Sequence, residues 1–233
     1  MPNIFVIKKK IKDFKNKIIK VNGDKSLSIR WVLLASLAEG RSKSFNLLLS
    51  EDVKASINSI KRLGIKVKLN ENFCEIHGKG LDGYKYKSNT VLNAKNSGTL
   101  GRLILGLLVN STKKMKLIGD KSLSKRDFKR ISDPLQKFGA KFKLTKNRNL
   151  PLSILGTTNL KPIKYYEKKG SAQCKSSVIF AALRTEGTTF IKAKKSRNHT
   201  ELLCKHLKLP ITLVKKRNYD LIKVKKAKKI RSF

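Results

Sequence analysis

The stretch K-S-L-S-I-R-W-V-L-L-A-S-L-A at 25–38 opens on basic and hydroxyl residues and then turns apolar at helical spacing. Two further stretches share that design: N-S-G-T-L-G-R-L-I-L-G-L-L-V at 96–109 and S-A-Q-C-K-S-S-V-I-F-A-A-L at 171–183. A strand-like run follows each one, S-K-S-F-N-L-L, K-K-M-K-L-I or T-T-F-I-K-A. A second, amphipathic helix comes next and stops at Gly64, Gly139 or Pro210, residues that end helices. Alternating strands, I-K-V-K-L, A-K-F-K-L and I-T-L-V, close the three copies.

A pattern recurring at near-constant spacing marks a repeat architecture. One copy is too small to bury two helices and a sheet, so three copies must pack around a common centre. The expected fold is α/β: a three-fold repeat of a βαβαββ unit, with the apolar first helices inside and the sheets outside. The copies span about 21–90, 91–160 and 161–233.

The chain of 233 residues carries a net charge of +40. Such a charge suits nucleic acid, because neutralised phosphates release counterions. Its distribution points instead to solvent-facing decoration. Lysine alternates with apolar residues in strand-like runs and greatly outnumbers arginine, the usual base-reading side chain. Only K-V-K-K-A-K-K-I-R at 223–231 is a true basic run. Nucleic acid is therefore not the expected partner, although a basic RNA- or polyanion-binding protein stands as the second functional reading.

Cys74, Cys174 and Cys204 are odd in number and widely spaced, which indicates neither a disulfide framework nor a zinc site. No metal or cofactor is expected. No apolar run reaches the length of a membrane span, and the N-terminus lacks a secretory cleavage pattern. A cytoplasmic protein is expected.

The helix starts carry the chemistry. A helix N-terminus presents unpaired N–H groups and a positive dipole end, so it favours anions. Those positions hold Lys25, Ser26 and Arg30 in the first copy, and Asn96, Ser97, Gly98, Thr99 and Arg102 in the second. Ser171, Gln173 and Lys175 stand there in the third; Arg126, Ser196 and Arg197 open the second helices. Serine and asparagine there also read as ordinary caps worth about 1 kcal/mol. Cations within a turn of a helix start are different, because they are unfavourable without an anion beside them. His199 reads as a first-turn residue, His206 as a partly exposed helix residue, and G-D-K-S lacks the glycine spacing of a P-loop.

The octet G-D-K-S-L-S-I-R at 23–30, its near copy G-D-K-S-L-S-K-R at 119–126, and N-S-G-T-L-G-R, S-A-Q-C-K-S and S-R-N-H-T-E come in one order and spacing. In these motifs the chain resembles the 3-phosphoshikimate 1-carboxyvinyltransferase (EPSP synthase) family. The sister UDP-N-acetylglucosamine enolpyruvyl transferases have Lys-Asn where this chain has Lys25-Ser26.

The resemblance implies one of two similar globes, inside-out α/β barrels with the active site between them. It implies transfer of the enolpyruvyl group of phosphoenolpyruvate to the 5-hydroxyl of shikimate 3-phosphate, releasing phosphate, on the way to chorismate. Carried over by motif, Lys25, Ser26, Arg30, Ser171, Ala172, Gln173, Ser196 and Arg197 would hold shikimate 3-phosphate. Lys25, Asn96, Gly98, Arg126 and Gln173 would hold phosphoenolpyruvate, with Lys25 serving both and carried over as catalytic. The family's R-P-M reads Arg126-Asp127-Phe128 here, placing an acid beside that arginine. Family members are nearly twice as long and carry their acid–base carboxylates in the second half. The chain is therefore expected to be an N-terminal half, inactive alone: a truncated product, a relic, or one piece of a split enzyme whose partner is a separate C-terminal half. Residues 1–20 are expected to join the other globe.

Overall fold

Three sheets follow one another along the sequence, each built from one copy of the repeat. They belong to a computed structural model that describes residue 6, residues 21–71 and residues 73–233. The segment 1–20, expected to join a second globe, lies outside the described residues apart from Val6.

The first copy runs α1 (Lys25–Ser36), β1 (Glu39–Phe45), α2 (Glu51–Arg62), β2 (Lys66–Leu69) and β3 (Phe73–Lys79). The second runs β4 (Thr90–Asn93), α3 (Gly98–Leu107), β5 (Met115–Ile118), α4 (Lys121–Ser124), α5 (Lys129–Gln136), β6 (Lys141–Lys143) and β7 (Leu152–Leu155). The third runs β8 (Lys164–Glu167), α6 (Ala172–Ala182), β9 (Thr188–Lys194), α7 (His199–His206), β10 (Ile211–Lys215) and β11 (Tyr219–Lys225).

The sheets are ordered β1-β3-β2, β4-β5-β7-β6 and β8-β9-β11-β10. In the second and third, the leading strand runs parallel to the strand after the first helix, and the remaining pairs are antiparallel. The first sheet fills that parallel place from the far end of the chain. Glu39 bridges Arg231 in parallel, Glu39 N donates to Ile230 O at 2.8 Å, and Lys43 N donates to Phe233 O at 2.9 Å. Phe233 also meets Trp31 edge-on, with centroids 6.2 Å apart. The ring of three copies is thus closed by its last residues.

The first helices α1, α3 and α6 form the centre. Beyond their polar starts they are apolar on all sides, a pattern that fits a surrounded helix. Leu33, Leu34, Leu103, Leu105, Val178 and Phe180 are fully buried, each such side chain contributing about 1.5–3 kcal/mol over an exposed one. Helices α3 and α6 touch backbone to backbone: a Cβ on Gly106 would stand 2.1 Å from Ser177 O, so only glycine fits. The helix stops behave as the sequence implies. Gly64 and Gly139 take left-handed φ of +83° and +110°, while in the third copy Lys208 takes that conformation and Pro210 follows.

One element departs from the sequence pattern. The second helix of the second copy starts later than the sequence pattern has it, at Lys129, and a separate short helix, α4, precedes it. Asp120 accepts from Leu123 N at 2.7 Å, and Asp127 accepts from Lys129 N at 2.7 Å. Arg126 therefore sits in the loop between two helices rather than at the start of one. No helix among the described residues is long and apolar enough to cross a membrane.

Candidate functional site

A hollow of about 490 Å³ opens where the starts of α1, α6 and α7 meet. Ser26 and Arg30 line it from α1, and Thr99 from α3. Gly170, Ser171, Ala172 and Gln173 line it at the start of α6; Ser196, Arg197 and His199 do so ahead of and within α7.

Arg30 is its anchor, only 3% exposed. Its Nε donates to Thr200 Oγ1 at 2.6 Å, Nη1 to Ser26 O at 2.9 Å, and Nη2 to Ser176 Oγ at 3.2 Å. Thr200 Oγ1 and Ser176 Oγ are themselves joined at 2.6 Å. Three of the five guanidinium N–H groups are fixed in this way, which leaves two without a partner among the described residues. Burial pushes the guanidinium down to about 10, with Arg197 adding to the fall and Glu201 and Asp24 opposing it. A buried cation held open and without a bonded carboxylate is a ready seat for an anion. Ser196 Oγ is also buried without a hydrogen-bond partner among the described residues.

The wall at the start of α6 is set by Glu167 at the end of β8. Its carboxylate accepts from Ser171 N at 2.7 Å and from Lys169 N at 3.3 Å, fixing the strand-to-helix turn. Ser171 then caps α6 by accepting from Cys174 N at 3.2 Å.

A second cationic cluster adjoins the hollow at the start of α3. Arg102 Nη1 donates to Gln173 Oε1 at 2.7 Å, and Gln173 Nε2 donates to Thr99 Oγ1 at 3.0 Å. A Cβ built on Gly98 would lie 2.9 Å from Nη1 of both Arg102 and Arg126. Two guanidinium groups thus converge over one glycine. Burial lowers the Arg102 pKa, and Arg126 and Arg130 lower it further, so an anion here would relieve repulsion.

These features can be set beside known proteins. The family model for EPSP synthase (3-phosphoshikimate 1-carboxyvinyltransferase) matches residues 8–231. The chain belongs to the EPSP synthase family. It is 41% identical over 189 residues to the 3-phosphoshikimate 1-carboxyvinyltransferase of Streptococcus mutans, covering 80% of this chain and 44% of that protein. The Petrotoga mobilis enzyme of that name is 42% identical over 194 residues, covering 82% and 45%. The solved EPSP synthase of Acinetobacter baumannii superposes with a TM-score of 0.84 at 32% identity, over 92% of this chain and 48% of that one. The chain spans less than half the length of the curated relatives it matches.

Among the residues that the EPSP synthase motifs single out, seven line the hollow together: Ser26, Arg30, Ser171, Ala172, Gln173, Ser196 and Arg197. Lys25 does not line it; its Nζ reaches Asp52 at 3.5 Å on the exposed side of α1. Asn96 is also outside, its amide donating to Asp120 at 2.7 Å and tying the start of α3 to that of α4. Gly98 and Arg126 belong to the second cluster. Asp127, the departure from R-P-M, gives its carboxylate to the start of α5.

Lys175 is placed differently from its neighbours in the motif. It is fully buried and turned away from the hollow, its Nζ 2.6 Å from Glu201 Oε1. Sequence reasoning passed over Thr200, Ser176 and Glu167 because their roles are indirect: they hold Arg30 and the α6 turn. Thr99 and His199 stood inside recognised motifs, yet nothing in one sequence shows which motif side chains turn inward.

Proposed function

We propose that this chain carries one wall of an enolpyruvyl-transfer site: the seat for shikimate 3-phosphate and part of that for phosphoenolpyruvate. The observation that supports it best is Arg30, a buried guanidinium with two N–H groups unpartnered among the described residues, facing a hollow lined by the family's motif residues.

In this reading the 3-phosphate lies against Ser196, Arg197 and Ser171, and the ring carboxylate and hydroxyls reach Arg30, Ser26 and Gln173. Ala172 supplies backbone N–H at the start of α6. Phosphoenolpyruvate lies nearer Gly98, where Arg102 and Arg126 meet, with Gln173 spanning both seats and Asn96 holding the edge. Lys25 faces both ligands once it leaves Asp52. The 5-hydroxyl of shikimate 3-phosphate adds to C2 of phosphoenolpyruvate as a proton is added at C3. Loss of a proton from C3 with departure of phosphate then restores the double bond. The cations lower the barrier by holding two anions together, which converts a bimolecular step into one between positioned groups.

Among the described residues no carboxylate lines the hollow. The proton-moving groups are therefore assigned to a second globe, the C-terminal half of the family's fold. A cytoplasmic setting fits the three buried free thiols.

Phosphate release from the two substrates tests this reading, with the chain alone and with the second half of a relative added. Release only from the pair supports it. Turnover by the chain alone overturns the assignment of the proton-moving groups, and silence of the pair counts against a split enzyme.

A further inference from the structure

The outer face of the third sheet carries a pattern that enolpyruvyl transfer does not use. Alternation buries Thr189, Ile191, Ala193, Asp220, Ile222 and Val224 and turns their neighbours outward. Two cross-strand rows result. One is Lys164, Phe190, Lys223 and Thr212; the next is Tyr166, Lys192, Leu221 and Val214. Tyr166 is 51% exposed and Phe190 46%, unusual for rings of that size. Ammonium groups rest over them, where a base would displace them: Lys192 Nζ lies 5.2 Å and Lys168 Nζ 5.6 Å from the Tyr166 ring centroid, and Lys223 Nζ 5.8 Å from that of Phe190. The rows form a shallow hollow of about 490 Å³.

Along β11 the outward set continues to Lys225 and into the basic run noted in the sequence. There a groove of about 580 Å³ has Leu207, Leu209 and Pro210 as its floor. Its walls are Lys208, Lys225, Lys226, Lys228, Lys229 and Arg231. Among the described residues no carboxylate lines either hollow; Glu186 pairs with Lys226 at the edge. The first sheet, by contrast, has Glu39 and Glu75 among its exposed or half-buried strand residues.

We propose that this face and groove bind single-stranded RNA. Two exposed rings on successive rows, about 7 Å apart along the strands, offer separate stacking sites for unpaired bases. The flanking lysines and the groove take the phosphates, a pairing of platform and basic track that tolerates any base sequence. A second copy of this chain is a poor occupant, because every charged side chain described in these two hollows is positive and like faces repel. An acidic protein segment would satisfy the lysines and leave the rings without a stacking partner. Unpaired polynucleotide in a cell is chiefly RNA, which selects it over DNA. The site is separate from the hollow around Arg30, so neither proposal depends on the other.

Fluorescence anisotropy of a short labelled oligouridylate tests this with the full chain, beside heparin as a polyanion without bases. Binding is expected at about 150 mM salt and weakens steeply as salt rises. Tyr166→Ala and Phe190→Ala should each weaken oligouridylate binding about tenfold while leaving heparin within about twofold. Phe190→Leu, which keeps an apolar side chain there, should lose as much as Phe190→Ala. Arg30→Ala should leave oligouridylate binding unchanged. Unchanged affinity after removal of both rings would overturn the proposal. So would absence of binding at that salt, or a dimer in sedimentation that the ring variants dissolve.

Discussion

Nε of Arg30, on the first helix of the first copy, donates to Oγ1 of Thr200, on the second helix of the third, at 2.6 Å. That single bond ties together elements 170 residues apart in sequence and sets the direction of the buried guanidinium. Thr200→Val removes the hydroxyl and keeps the shape, leaving a buried N–H unpaired at a cost of about 1–3 kcal/mol. Thr200 is a positioning residue, so the loss should appear as about tenfold weaker shikimate 3-phosphate binding by phosphorus NMR titration. Thr200→Ser, which restores the hydroxyl, should recover most of it.

Lys175 and Glu201 form a fully enclosed ion pair between α6 and α7, with no other hydrogen-bond partner among the described residues. Removing one partner strands a charge, whereas replacing both with apolar residues does not. Lys175→Met alone should lower unfolding free energy by about 3–5 kcal/mol, and Lys175→Met with Glu201→Leu should recover most of that loss. Urea unfolding midpoints of the two variants check this order.

Gly98 has room for no side chain, since a methyl group would sit 2.9 Å from the guanidinium nitrogens of Arg102 and Arg126. Both are ends of flexible side chains, so Gly98→Ala should fold and push them aside. Phosphoenolpyruvate affinity in the presence of shikimate 3-phosphate should fall at least about tenfold, an overpacking cost of about 1–3 kcal/mol. Shikimate 3-phosphate affinity should fall less, because Arg30, Ser196 and Arg197 are untouched and only the bond from Arg102 to Gln173 is disturbed. Paired titrations of the two ligands separate these effects.

The three thiols give the protein an alkaline limit. Burial pushes Cys204 up to about 12 and Cys74 up to about 11, with Glu201 adding to the rise at Cys204 and Lys61 opposing it at Cys74. Above about pH 9 the unfolded chain sheds these protons and the folded chain keeps them, so stability falls as pH rises. The Cys204 share is about 1–2 kcal/mol by pH near 10. Arg30, lowered by burial to about 10, acts in the opposite sense only above that pH. Urea midpoints should drop between neutral and alkaline buffer, and Ellman's reagent at neutral pH should find the thiols silent until denaturant is added.

Much of the fold was legible because its signals are local. Helix stops at Gly64 and Gly139, alternation in K-V-K-L, and three apolar first helices each follow from neighbouring residues. The short helix α4 ahead of the second helix in the middle copy was hidden because Asp120 reads as an ordinary polar residue until its cap is seen. The closure of β1 by residues 230–233 was equally hidden, as no short-range pattern records a pairing between chain ends. At the site, motif residues gather as a group. Whether each points inward is a matter of packing: Arg30 turns to the hollow, while Lys175 turns to Glu201.

Calorimetric titration of shikimate 3-phosphate into the 233-residue chain asks whether this wall of the site binds its ligand without the other. One-to-one binding is expected without any second half, weakened about ten- to a hundredfold in Arg30→Ala, as loss of a charge-assisted pair implies. Absence of binding by the intact chain, or equal binding by the Arg30→Ala variant, would contradict it.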